Sequence, residues 1–132
     1  MEIIFNNYSG ARIDRSILRK LAGRISLPAG RQARKKMIVS ISFVPESEIK
    51  RLNRMYRHMN RPTDVLSFNM NEGKYLGDVV ICPSIAKINS ARYGSTFKSE
   101  ISRLVAHGLL HLLGYDHGKK MFDMQDKILA LR

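Results

Sequence analysis

The run HGLLHLLGYDH, residues 107–117, constrains this 132-residue chain more than any other segment. His107 and His111 are four positions apart, a spacing at which helical side chains share a face with Cβ atoms about 5–6 Å apart, so both imidazoles can reach one ion. A tetrahedral ion needs its third ligand from another direction. Gly114 is the residue most able to take a left-handed conformation and end the helix. The chain can then turn through Tyr115 and Asp116 and deliver His117. Three protein ligands leave a fourth position for water, the arrangement of catalytic rather than structural zinc. The spacing therefore predicts one zinc ion held by His107, His111 and His117 plus water, neutral imidazoles favouring zinc. Asp116 is placed to accept an imidazole N–H and steady a ligand. A lone histidine on an apolar helix would read as an ordinary core or surface residue. Three of the chain's four histidines in one run, with glycine at the turn, do not.

The same spacing is that of the metzincin proteases, H-E-x-x-H-x-x-G-x-x-H, with one change. Gly108 stands where the protease carries its general-base Glu. The run thus predicts the metal and argues against peptide hydrolysis by the protease route.

Charge points to the substrate class. Lys and Arg number 23 against 11 Asp and Glu, a formal net charge of +12. Such an excess attracts polyanions and makes their binding salt-dependent through counterion release. A solvated basic surface kept for solubility is the alternative, and the size and N-terminal bias of the excess count against it. Arg12, Arg15, Arg19, Lys20 and Arg24 fall on one expected helix, and Arg31, Arg34, Lys35 and Lys36 follow in a basic loop. The N-terminus, MEIIFNN, lacks a signal-peptide layout, and no apolar run approaches the roughly 20 residues of a membrane span. A single cysteine, Cys82, fits a reducing, cytoplasmic setting and reads as a buried small hydrophobe after Val79, Val80 and Ile81.

Periodicity predicts strands at 2–6, 37–44, 64–69 and 76–82. Helices are expected over 13–26, from Pro45 to about His58, from Pro83 to about Tyr93, over Ser99–Leu113 and over 119–131. NMNEGK reads as a polar loop between the last two strands. The order β-α-β-α-β-β-α-α-α implies one α+β (mixed α/β) domain over residues 1–132, a small four-stranded mixed sheet with about five helices. The histidines are expected to face a cleft at the edge of its core, held stiffly because Ile101, Leu104, Val105, Leu109 and Leu112 bury their helix.

Three blocks together resemble the YbeY family of metal-dependent endoribonucleases, also called rRNA maturation factors. They are HGLLHLLGYDH, NRMYRHMNRPTDVLSF and YLGDVVIC, in the family's order and covering roughly half the chain. The resemblance implies zinc on His107, His111 and His117, cleavage of single-stranded RNA, and roles in 16S rRNA 3′-end maturation and ribosome quality control. It also implies the ribosomal small subunit as a partner, together with a ribosome-assembly GTPase. Arg57 matches an arginine to which the family assigns a part in catalysis; its guanidinium would bind the scissile phosphate and stabilise developing charge. Three positions depart from the pattern: Asn60 replaces an Asp that would orient Arg57, Asn69 replaces a Pro, and Arg103 replaces a His found in several members. Gly108 in place of Glu leaves open which group takes the proton: metal hydroxide alone could attack, or the substrate's own 2′-OH could be the nucleophile. Asp64 and Asp78 are the nearest carboxylates by motif, and both read more readily as residues that pin a strand end. Tyr56 and Tyr115 are available to stack bases, or to serve as core. Two other functions fit the same ligands: a ribosome-associated assembly protein with a structural metal, and a zinc hydrolase of another substrate class.

Overall fold

Alternation along the strands sends their apolar residues to two different environments. In the computed structural model, which describes residues 1–25, 37–115 and 118–130, four strands form one sheet in the order β1-β2-β4-β3. These are β1 (Glu2–Asn7), β2 (Ile38–Phe43), β3 (Val65–Glu72) and β4 (Tyr75–Ile81). β1, β2 and β4 run parallel, and β3 pairs antiparallel with β4 at the edge. Register aligns Phe5, Ile41, Val79 and Ser67 in one row across one face. The same face carries Ile3, Val39, Phe43 and Ile81 into the main core. Leu66 and Val80 point the other way and join Val44, Ile49 and Cys82 in a smaller cluster.

The helices are α1 (Arg15–Gly23), α2 (Glu46–Arg57), α3 (Pro83–Tyr93), α4 (Phe97–Leu112) and α5 (Lys119–Ala130). α4 is the central one: Leu104, Val105, Ala106, Leu109 and Leu110 are all essentially inaccessible. It packs on the main face of β3 and β4, and α1, α3 and α5 pack around it. α2 covers the smaller cluster through Ile49 and Leu52. Cys82 is fully buried there, as expected of a small hydrophobe. No described helix is long and apolar enough to cross a membrane.

The predicted architecture matches this mixed sheet with five helices, while several boundaries move. α1 begins at Arg15 because Asp14 caps it, its side chain accepting from the Ile17 N–H. It ends at Gly23, short of the predicted residue 26, which with the basic loop through Lys36 lies outside the described residues. α2 starts at Glu46, with Pro45 as its cap rather than its first residue. α4 starts two residues early, at Phe97, because the Thr96 side chain accepts from the Ser99 N–H at 3.0 Å. The largest correction concerns NMNEGK, which is not a loop: β3 continues to Glu72 and pairs it with Tyr75. Cross-strand hydrogen bonding overrides the polar composition, and Asn71 (φ 49°) takes up the register shift between Asn69 and Glu72.

Candidate active site

Burial of α4 on nearly every side leaves Arg103, His107 and His111 as a partly exposed stripe. The ring centroids of the two histidines are 4.7 Å apart with planes at 78°. The helix stops as Gly114 was expected to stop it. Gly114 has φ 94°; its N–H donates to the His111 carbonyl at 3.1 Å, and the Tyr115 N–H reaches back to the Leu110 carbonyl at 3.0 Å. That pair of bonds is the Schellman pattern, closed by a residue that tolerates positive φ. Tyr115 packs against the main core, which favours a structural role for it over base stacking. Asp116 and His117 lie outside the described residues. Among the described residues no three His, Cys, Asp or Glu side chains cluster.

Two features near the histidines were invisible in the sequence. Gln125, buried on α5, places Oε1 3.0 Å from Nδ1 of His107. Gly108 sits where α4 comes closest to the sheet. A Cβ there would lie 2.6 Å from Cγ1 and 3.1 Å from Cγ2 of Val79, and 3.3 Å from Oγ of Ser67. The position that holds the general base in the protease motif has no room here for a methyl group.

Arg57 reaches the site from the opposite side of β3. It is the last residue of α2, followed by His58 in the left-handed conformation (φ 59°, ψ 31°). Buried Asn53 holds that exit: its carbonyl accepts from the backbone N–H groups of His58 and Met59, and Nδ2 donates to the Arg61 carbonyl at 2.9 Å. The Arg57 guanidinium lies over the Phe68 ring, 5.5 Å from its centroid, and Nη2 donates to the Ser67 carbonyl at 2.7 Å. Ser67 in turn donates from Oγ to the Gly108 carbonyl at 3.3 Å. One residue of the edge strand thus touches both the arginine and the histidine-bearing helix. Arg57 is oriented by Ser67 and Phe68, not by residue 60, so Asn60 does not deprive it of an anchor.

The cleft around these groups has a volume of about 1410 Å³ and includes Arg57, Ser67, Phe68, His107 and His111 in its lining. Tyr56 also lines it; the residue is 58% exposed and its ring meets Phe68 edge-on at 5.3 Å. Of the predicted basic track, only the part on α1 falls among the described residues. No α1 residue lines the cleft, and Arg19 is committed elsewhere, donating to the Ile3 carbonyl at 3.2 Å and stacking 4.8 Å from the Phe5 centroid.

The two carboxylates, both expected to pin strand ends, face different surroundings. Asp64 lies between elements: its carboxylate accepts from Asn89 Nδ2 at 3.2 Å and is 3.7 Å from Arg103, while its carbonyl accepts from the Cys82 N–H. Arg103 also makes a two-point contact with the buried Glu100, at 3.0 and 2.7 Å, so it serves as a structural cation where other members carry histidine. Asp78 faces the cleft opposite Phe68, hydrogen-bonded to the Tyr75 hydroxyl, and burial pushes its carboxyl above the usual range.

Residues 4–131 match the family model described as Endoribonuclease YbeY. A Thermotoga maritima protein of that name is 42% identical over 95 residues, 67% of this chain and 63% of the relative, so the match spans less than two thirds of its length. A Staphylococcus saprophyticus protein of the same name is 41% identical over 106 residues, 69% of each chain. The solution structure of a Thermotoga maritima protein superposes with a TM-score of 0.64 at 32% identity, covering 96% of this chain and 87% of that one. Motifs, fold and relatives converge: the chain belongs to the YbeY family of endoribonucleases.

Proposed function

We propose that this chain is a zinc-dependent endoribonuclease that cuts single-stranded RNA and acts in 16S rRNA 3′-end maturation and ribosome quality control. The observation that carries the reading is the bridge through Ser67: a phosphate-binding arginine and a histidine pair, on helices on opposite faces of the sheet, meet at one edge strand. The donors suit zinc. His107 and His111 share one helix face, and the contact of His107 Nδ1 with an amide oxygen suits coordination through Nε2. His107, His111 and His117 would hold the ion, which when bound polarises a phosphoryl oxygen and acidifies water. Arg57 spends one N–H on the Ser67 carbonyl and keeps the others for a phosphodiester oxygen, where they stabilise charge developing in the transition state. Phe68 supports the guanidinium from below, and exposed Tyr56 beside it offers a ring for a base to stack on. Asp64 takes no part in proton transfer, because its carboxylate is occupied between α3 and α4.

The small ribosomal subunit and a ribosome-assembly GTPase are the partners this reading entails, in the cytoplasm. The test is cleavage of a defined single-stranded RNA by the wild type, His111→Ala and Arg57→Ala after matched metal analysis. Arg57→Ala is expected to keep its metal and lose about 10²–10³-fold in kcat, as when one preorganised transition-state donor is removed. His111→Ala is expected to lose metal and activity together. Product ends then identify the nucleophile: a 2′,3′-cyclic phosphate means the 2′-OH, a 5′-phosphate means water. Metal-loaded wild type that binds ribosomal particles but cuts no RNA would replace this reading with an assembly role.

A further inference from the structure

A buried amide interrupts the apolar stripe of α5. Met121, Gln125 and Ile128 follow one another at spacings of four and three, and all three are buried. An aliphatic side chain is the ordinary occupant of the middle position. A buried amide left without a polar partner is destabilising, and His107 is the partner that Gln125 Oε1 meets. Gln125 Oε1 is an acceptor, and at 3.0 Å from Nδ1 the contact is a hydrogen bond when that nitrogen carries the proton. The neutral imidazole then carries its lone pair on Nε2. With the proton moved to Nε2, two acceptors would face each other inside the protein. Phe122, three residues before Gln125 on the same helix, lies 6.2 Å from the His107 ring with planes at 36°. α5 therefore restrains both the tautomer and the plane of the ring.

We propose that Gln125 is a positioning residue for the metal centre: it holds His107 in the Nδ1–H tautomer and so presents Nε2 to the ion. The proposal rests on the zinc reading of His107, His111 and His117. A metal-bound histidine usually donates its other N–H to such a partner, and removing that partner typically weakens metal binding about 10–100-fold.

The test uses the full chain with two substitutions. Gln125→Leu keeps the volume of the side chain and removes the acceptor; Gln125→Glu keeps an acceptor. Zinc affinity is measured by competition with a chromophoric chelator, and nitrogen-15 chemical shifts of the metal-free wild type report the His107 tautomer. Gln125→Leu should bind zinc about 10–100-fold more weakly. Gln125→Glu should retain wild-type affinity, and metal-free His107 should be the Nδ1–H form. Equal affinities of wild type and Gln125→Leu overturn the proposal, as does an equal loss in both variants. A metal-free His107 in the Nε2–H form overturns it without any variant, which covers failure of Gln125→Leu to fold. If the wild type takes up no zinc, the metal reading itself falls and the proposal falls with it; zinc uptake unaffected by Gln125→Leu removes the proposal alone.

Discussion

Gly108→Ala tests how tightly the histidine helix is seated on the sheet. The new Cβ would lie 2.6 Å from Val79 Cγ1, roughly 1 Å inside the ordinary carbon–carbon contact of about 3.5–4.0 Å. Val79 cannot yield easily: it is fully buried on β4, between β2 and β3, and its branched side chain is stiff at χ1. Overpacking of this kind costs about 1–3 kcal/mol, and alanine returns about 1 kcal/mol through its better helix propensity. The expected net effect is a loss of about 0–2 kcal/mol, or a Tm lower by up to roughly 8 °C for a domain of this size. The relief movement, α4 lifting from β3, also stretches the Ser67 Oγ to Gly108 carbonyl bond and carries His107 and His111 with it. Zinc affinity should therefore fall in parallel with stability. The assay is a double-mutant cycle by urea unfolding with Val79→Ala, which deletes both offending methyl groups. The double mutant should be more stable than the sum of the singles predicts by about 1–3 kcal/mol. Additivity within about 0.5 kcal/mol would refute the reasoning. Gly108→Glu, which restores the protease pattern, adds a carboxylate to the same clash and should destabilise the protein further without creating a peptidase.

Two further perturbations test other parts of the same frame. Thr96→Ala removes the cap of α4 and should cost about 1 kcal/mol, measured as a lower urea midpoint at unchanged slope, while Thr96→Ser should restore it; an unchanged midpoint in Thr96→Ala would show that the cap carries no stability. Asp78 is held above its unfolded value of 3.8 by burial, so the folded state binds its proton more tightly. Its contribution to stability therefore declines as pH rises from 3.8 through the raised folded value, and is constant beyond it. Asp78→Asn, which still accepts from Tyr75, should remove that decline and leave the protein at least as stable as wild type at neutral pH; a loss of stability at pH 7 would contradict the burial argument.

Local chemistry was readable wherever a residue's role depends on its neighbours along the chain. The helical pairing of His107 with His111, the stop at Gly114 and the burial of Cys82 all follow from spacing, backbone freedom and apolar context. The limits of local patterning show at residues 69–74, where polar composition reads as a loop but pairing with β4 draws Asn69 and Glu72 into the sheet. They show again in the charge: clustered basic residues on α1 attract a polyanion on paper, yet packing turns that helix away from the cleft.

What the sequence determined by itself is the α+β class and the family, because both are written in periodicity and motif order. Only the tertiary structure decided why Gly108 is glycine, what orients Arg57 and what faces Nδ1 of His107. Those answers come from Val79, Ser67 and Gln125, residues distant in the chain that the sheet register and the packing of α5 on α4 bring against the site. A contact between remote residues leaves no periodic trace in a single sequence, so the histidine run could be read while its surroundings had to be seen.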